Sequence, residues 1–133
     1  MKKVLIASCL LLGTSLSGFA QHSKPKVIVL VNEASWCPVC KANGPRFTAD
    51  IMPMVMQNKE VRMVKDDLSD AQTIAASMHM LKNAGIARFA KKNTDTGMLF
   101  FFNARSKKLI SEISIAKSDD EIKEAFQNAL SKG

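Results

Sequence analysis

Trp36-Cys37-Pro38-Val39-Cys40 places two thiols one helical turn apart, directly after the apolar run Val27-Ile28-Val29-Leu30-Val31. A strand that delivers a Cys-x-x-Cys onto the first turn of a helix is a redox device. The first thiol of such a pair sits where backbone N–H groups and the helix dipole favour negative charge. A thiol so placed is shifted from about 8.5 toward the roughly 3.5–7.5 range of reactive cysteines. The second thiol is close enough to close a disulfide. The spacing also fits half of a zinc site or a purely structural disulfide. Zinc needs two more ligands at finger-like spacing, and no further Cys or His pair follows the motif. Dithiol redox chemistry is therefore the expectation, with no cofactor and no resident metal.

The elements around the motif must present it. Lys2 and Lys3 read as a basic n-region, Val4 to Leu12 as an apolar h-region, and Gly18-Phe19-Ala20 as a cleavage site. Residues 1–20 are thus expected to be a signal peptide that is removed, leaving the chain periplasmic or secreted. The apolar stretch is shorter than a membrane span of about 20 residues. A competing reading takes Ile6-Ala7-Ser8-Cys9 as a lipoprotein box with Cys9 lipidated. Cleavage would remove Cys9, one of three cysteines, and leave the Cys37/Cys40 pair, as suits an oxidising compartment. It would also remove Lys2 and Lys3, leaving 17 of the 19 basic residues against 12 acids. These bases are scattered and have no aromatic interleaving, so nucleic acid is not an expected partner. Residues 21–133 are long enough for one domain with one core, and nothing demands more than a monomer.

Val27 to Val31 has no polar break, which suits a strand buried on both faces. Pro38 can stand in the first turn of the next helix, having no N–H to lose there. That helix is expected to reach about Gln57 and to be kinked or broken by Pro45 and Pro53. A second strand is expected over Val61 to Val64, ending at Asp66-Asp67. Ser69 or Asp70 can cap a helix from Ala71 to about Lys82. Gly85 interrupts it, a further helical turn is expected within Ile86 to Lys92, and residues 93–97 form a turn cluster. Met98 to Phe102 and Leu109 to Ile115 read as a strand hairpin. Ser118, with Glu121 three residues on, opens a last helix through a capping box. Ile122, Ala125, Phe126 and Ala129 form the buried stripe of that helix. The order β-α-β-α-β-β-α implies an α/β fold: a small mixed sheet, parallel in its first half, with helices on both faces.

This pattern resembles the thioredoxin superfamily over essentially the whole segment 21–133. The most specific part is Ala34-Ser35-Trp36-Cys37-Pro38-Val39-Cys40-Lys41, followed by Pro45. A Trp before the first Cys, a Lys after the second and a proline five residues further on are common in that family. The resemblance implies that Cys37 is an exposed nucleophile and Cys40 a shielded resolving thiol. It implies exchange with protein disulfides or dithiols through a mixed disulfide.

Two family features are absent. The buried Asp near the end of the first strand is replaced by Val31, and Glu33, two residues on, lies on the same side of that strand. Glu33 is a candidate proton acceptor for Cys40, or else a solvated acid at a strand end. The family's cis-proline position falls on Thr96, where a trans peptide is expected because a non-proline cis bond costs roughly 3 kcal/mol. Trp36 is a candidate partner contact and shield for the dithiol. Lys41 is a candidate modulator of the dithiol or a solvated helix residue.

Direction is open. Pro38-Val39 between the cysteines also suits glutaredoxin-like and oxidase-like proteins. Disulfide reduction, supplied by a membrane-borne electron donor, is favoured over dithiol oxidation. The alternative of a different class is a Cu(I) carrier: thiolate and thioether are soft ligands, and Met78-His79-Met80 resembles the Met-x-Met groups of copper proteins. Against it, residues two apart on a helix do not face one another.

Overall fold

A computed structural model describes residues 24–133. The expected leader 1–20, with Cys9, lies outside the described residues. Four strands form one sheet in the order β2-β1-β3-β4: β1 (Val27–Glu33), β2 (Val61–Asp67), β3 (Met98–Asn103) and β4 (Leu109–Ser114). β1 pairs parallel with β2 and antiparallel with β3, and β3 pairs antiparallel with β4. The parallel first half and the terminal hairpin are as the sequence pattern implies.

β1 is central, and six of its seven residues are buried. Its unbroken apolar run has a cause on each face. Val27, Val29 and Val31 meet the helices that follow the motif and the last helix, through Phe47, Ile51, Val55, Ile122 and Phe126. Ile28 and Leu30 meet the helices after β2, through Leu81, Ala84, Ile86 and Ala90. The three phenylalanines of β3 divide in the same way. Phe101 packs toward Phe126, while Phe100 and Phe102 set their rings edge-on against Phe89 at 5.1 and 4.8 Å. Each such side chain removed from water contributes roughly 1.5–3 kcal/mol, so the sheet holds both helical layers.

The helix after the motif reaches Gln57, but in three pieces. α1 (Pro38–Arg46) passes Pro45 without ending, a π-helical turn covers Phe47–Ile51, and α2 (Met52–Gln57) carries Pro53 in its first turn. The interruption is therefore seated at Pro53 rather than Pro45. The Met52 N–H reaches back five residues to the Phe47 carbonyl. That wider ring re-routes the ladder just before a residue with no N–H. Phe47 and Ile51 lie in this turn, and both are buried in the core.

Asp70, not Ser69, caps α3 (Ala71–Ala84), accepting the Gln72 and Thr73 N–H groups at 2.8 and 2.9 Å. Ser69 is committed elsewhere, to Asp67 and Ser35. Gly85 ends α3 in the left-handed conformation, φ 78°, where a Cβ would be strained. A short α4 (Ala87–Ala90) supplies the expected further turn. The Ser118–Glu121 capping box opens α5 (Asp119–Lys132), whose Ile122, Phe126 and Ala129 are buried, with Ala125 partly so. Among the described residues no helix is long and apolar enough to cross a membrane.

Candidate functional site: a dithiol at the sheet end

β1 hands the chain to the motif through Ala34–Trp36. Three bonds to the β2–α3 turn fix that passage. Leu68 N–H donates to Glu33 O at 2.8 Å, Ser35 N–H donates to Ser69 Oγ at 2.8 Å, and the Trp36 indole N–H donates to Leu68 O at 3.3 Å. Asp67 in turn accepts from the Ser69 N–H and hydroxyl. The Ser69 hydroxyl bond is the main cause holding the Asp67 carboxyl below the usual carboxylate range.

Cys37 and Cys40 are joined as a disulfide, Cα–Cα 5.3 Å. Cys37 is the N-cap of α1, and its Sγ accepts the Cys40 N–H at 3.1 Å. Pro38 follows in the first turn, as its missing N–H allows. The Cys37 sulfur therefore occupies the position of a helix-capping anion. Once reduced, it is the thiol that the helix end stabilises as thiolate.

Exposure at the pair is the reverse of what the resemblance implies. Cys37 is 1% exposed, whereas Cys40 is half-buried. The cause is Gly97. Its Cα lies so close over the motif that a Cβ there would stand 2.7 Å from Val39 Cγ1 and 3.8 Å from Cys37 Sγ. Gly97 lies over the first sulfur, while Cys40 borders two recesses. One is open and polar, with Glu33, Lys41, Asp67 and Ser69 on its walls. The other is a cavity of about 70 Å³ between α1 and the sheet, bordered by Glu33, Lys65 and Thr48.

Glu33 faces this cavity from the end of β1 and pairs with Lys65 at 2.6 Å. Lys65 is the β2 residue directly beside Val31, so the ion pair stands next to the position where the family's buried acid is missing. Lys41 is exposed on the open recess. Trp36 is 56% exposed, its ring tethered by the Leu68 bond. Thr96 is half-buried, and all described peptide bonds are trans, as expected at this position. The residue against the dithiol is its neighbour Gly97, at φ 74°.

Sequence reasoning missed three residues here. Gly97 was legible only as one member of a turn cluster. Asn32, fully buried at the end of β1, donates from Nδ2 to Asn93 O at 2.9 Å and to Asp95 O at 3.2 Å, and its own carbonyl accepts the Gly97 N–H at 2.8 Å. Arg46 closes the other side. It pairs with Asp119 and donates to the carbonyls of Ile115 (2.6 Å) and Lys117 (2.9 Å), and Ile115 N–H donates to Gly97 O at 2.9 Å. The Met78-His79-Met80 run is not brought to one place. Met78 packs against the core, Met80 is 47% exposed, and the His79 ring lies beside Asn83. Among the described residues no group of three or more His, Cys, Asp or Glu side chains is arranged to hold a metal ion.

This combination of a β2-β1-β3-β4 mixed sheet, helices on both faces and a Cys-x-x-Cys at the first turn of α1 is the thioredoxin fold. Several solved structures are similar to this chain. A candidate protein disulfide isomerase from Bacteroides thetaiotaomicron matches with a TM-score of 0.50 and 20% identity over 78% of this chain and 72% of its own. Trxlp from Edwardsiella tarda matches at 0.46 and 20% identity, covering 80% and 84%. Thioredoxin f2 from Chlamydomonas reinhardtii matches at 0.46 and 16% identity, covering 80% and 82%. No protein-family model matches the sequence, and no curated protein matches it either. At this identity the likeness to the Bacteroides structure establishes the fold alone, and the Cys37–Cys40 pair upon it supports thiol–disulfide exchange.

Proposed function

We propose that this chain is an exported thiol–disulfide oxidoreductase that reduces protein disulfides through Cys37 and Cys40. The observation that carries the reading is the disulfide at the first turn of α1, with Cys37 Sγ accepting the Cys40 N–H. In the reduced protein the Cys37 thiolate attacks one sulfur of a partner disulfide. A Cys37–partner disulfide forms, and the other partner sulfur leaves as thiolate. Cys40 then loses its proton and attacks Cys37 Sγ, releasing the second partner thiolate and closing Cys37–Cys40. The partner gains two electrons and the dithiol loses two. A membrane-borne donor of electrons restores the dithiol, and the signal-like sequence of residues 1–20 supports a periplasmic or secreted setting. Trp36 supplies an exposed aromatic face for the partner.

The reduction potential of the pair tests this directly, by equilibrating the protein with glutathione or dithiothreitol buffers. A value near the thioredoxin end, roughly −270 mV, is expected of a reductase. A value near roughly −120 mV would instead make it a dithiol oxidase. The absence of any reversible couple would end the redox reading.

Glu33 is the proton acceptor for Cys40 in this scheme. It borders the same two recesses as Cys40, one open to solvent and the other an inner cavity of about 70 Å³ whose walls are mainly the apolar Val31, Phe47, Met52, Met63 and Ile115. Lys65, 2.6 Å away, holds the carboxylate at this place. Glu33→Gln is expected to slow resolution of the mixed disulfide near neutral pH by on the order of 10²-fold, the low end of general-base effects. Stopped-flow measurement of the second step against pH checks it, and a rate–pH profile identical to wild type would remove Glu33 from the mechanism.

A further inference from the structure

Two buried side-chain oxygens beneath the site have no hydrogen-bond partner among the described residues: Asn32 Oδ1 and Asp66 Oδ1. They belong to residues 0% and 2% exposed. Asn32 and Asp66 are directly paired across the parallel β1–β2 ladder, so their side chains leave the same face of the sheet. Leu30 and Val64, one repeat earlier, confirm that face by meeting in one core cluster. The orientation of the Asn32 amide is not free. Its Nδ2 serves two carbonyls, Asn93 O and Asp95 O, which leaves Oδ1 as an acceptor with no donor. Two buried acceptors side by side cost free energy on both, and one shared proton relieves both.

We propose that Asp66 is held as the neutral acid and donates its carboxyl O–H to Asn32 Oδ1, and that this pair positions the 93–97 loop against the dithiol. Asp66 is a positioning residue acting through Asn32. The chain of contact runs from Asp66 to Asn32, from Asn32 to the carbonyls of Asn93 and Asp95 and to the Gly97 N–H, and from Gly97 to Val39 and Cys37. Burial first, and the neighbouring Asp67 charge second, push the Asp66 carboxyl above the usual carboxylate range. Among the described residues no cation acts on it in compensation. β2 itself brings Asp67, β1 brings the neutral Asn32, and α3 brings the neutral Ser77 (whose hydroxyl accepts the Asp67 N–H at 2.9 Å). Because the folded-state pKa is raised, the stabilising proton is fully in place below the unfolded value near 3.9 and is lost as pH rises through the folded value. A rise in pH through the folded value should therefore loosen the loop over Cys37.

The functional half of this inference rests on the exchange activity proposed above, and the experiment separates the two. In the oxidised protein, NMR follows the Asp66 carboxyl carbon, the Asn32 side-chain amide and the protection factor of the Gly97 amide against pH. Asp66 is expected to titrate above the ordinary range. Gly97 protection is expected to fall about tenfold in the same interval, as loss of one buried hydrogen bond implies. In Asp66→Asn the new amide donates to Asn32 Oδ1 at every pH, so protection persists and that titration disappears. In the reduced proteins, the ratio of wild-type to Asp66→Asn rates with a small aromatic disulfide is expected to change through the same interval. Titration of Asp66 near roughly 3.9, an unchanged Gly97 profile in Asp66→Asn, or a rate ratio constant with pH would each overturn the proposal. A chain with no exchange in either protein would refute the oxidoreductase reading while the NMR titration still decided the clamp.

Discussion

Cys40→Ser is expected to turn the chain into a trap that joins a partner disulfide and cannot let it go. The geometry behind this is the asymmetry of the pair. Cys37 Sγ caps α1 and accepts the Cys40 N–H, so the helix end stabilises negative charge on Cys37. Cys40 lies inside the first turn and has no such role. Removing Cys40 leaves the attacking thiolate and deletes the group that resolves the mixed disulfide. Turnover should fall on the order of 10³-fold, as when one member of a concerted pair is lost, while a covalent Cys37–partner species accumulates. Cys37→Ser should lose turnover equally but accumulate nothing. Non-reducing gels and intact mass spectrometry of each variant, incubated with an oxidised model protein, read both outcomes. Exposure makes the opposite result a real alternative, because Cys37 is 1% exposed and Cys40 borders both recesses. Adduct on Cys40 in Cys37→Ser, with none on Cys37 in Cys40→Ser, would show that access and not charge stabilisation selects the entry sulfur.

The parts of this molecule that were legible in the sequence are those set by local pattern. The unbroken Val27–Val31 run announced a strand buried on both faces, and Met98 to Phe102 announced a strand of the hairpin; both are core. Ser118 and Glu121 announced the start of α5 through chemistry confined to four residues. What stayed hidden depends on contacts between distant segments. Asn32 reads as a strand end because a polar residue after an apolar run usually meets solvent. Its burial follows from carbonyls more than sixty residues away. Asp66 likewise reads as the polar end of β2, whereas it is 2% exposed. Arg46 carries no motif, and its bonds reach about seventy residues ahead to Ile115, Lys117 and Asp119. The exposure of the cysteines was inverted for the same reason. Spacing fixes where the thiols stand on α1, but only the return of the chain at Gly97 decides which of them is covered. One trace was available: Asn32 continues the Ile28-Leu30 face of β1 at period two, so the pattern already placed it toward the core.

Gly97→Ala tests that covering contact with a large expected effect and a clean comparison. Gly97 stands at φ 74°, a region that costs an L-residue about 1–2 kcal/mol. Its added Cβ would meet Val39 Cγ1 at 2.7 Å and Val39 Cβ at 3.0 Å. The branched Val39 has little freedom to turn aside, since it packs against the core and its carbonyl accepts from Asn43 Nδ2. Overpacking of this kind costs about 1–3 kcal/mol more. The backbone cannot withdraw freely either, because Gly97 N–H is bonded to Asn32 O and Gly97 O to Ile115 N–H. The oxidised variant should therefore lose about 2–5 kcal/mol of stability, a fall of roughly 10–20 °C in Tm for a chain of this size. Gly44→Ala is the matched comparison: it lies within α1, and a Cβ there meets nothing within 4 Å. Alanine is the better helix former by about 1 kcal/mol, so that variant should be as stable as wild type or more so. Thermal unfolding of the two proteins side by side gives the answer. Equal stability of Gly97→Ala and wild type would mean that the loop does not sit on the dithiol. If the loss appears as expected, the strain should fall on the contact covering Cys37, and alkylation of Cys37 in the reduced variant should be faster than in wild type.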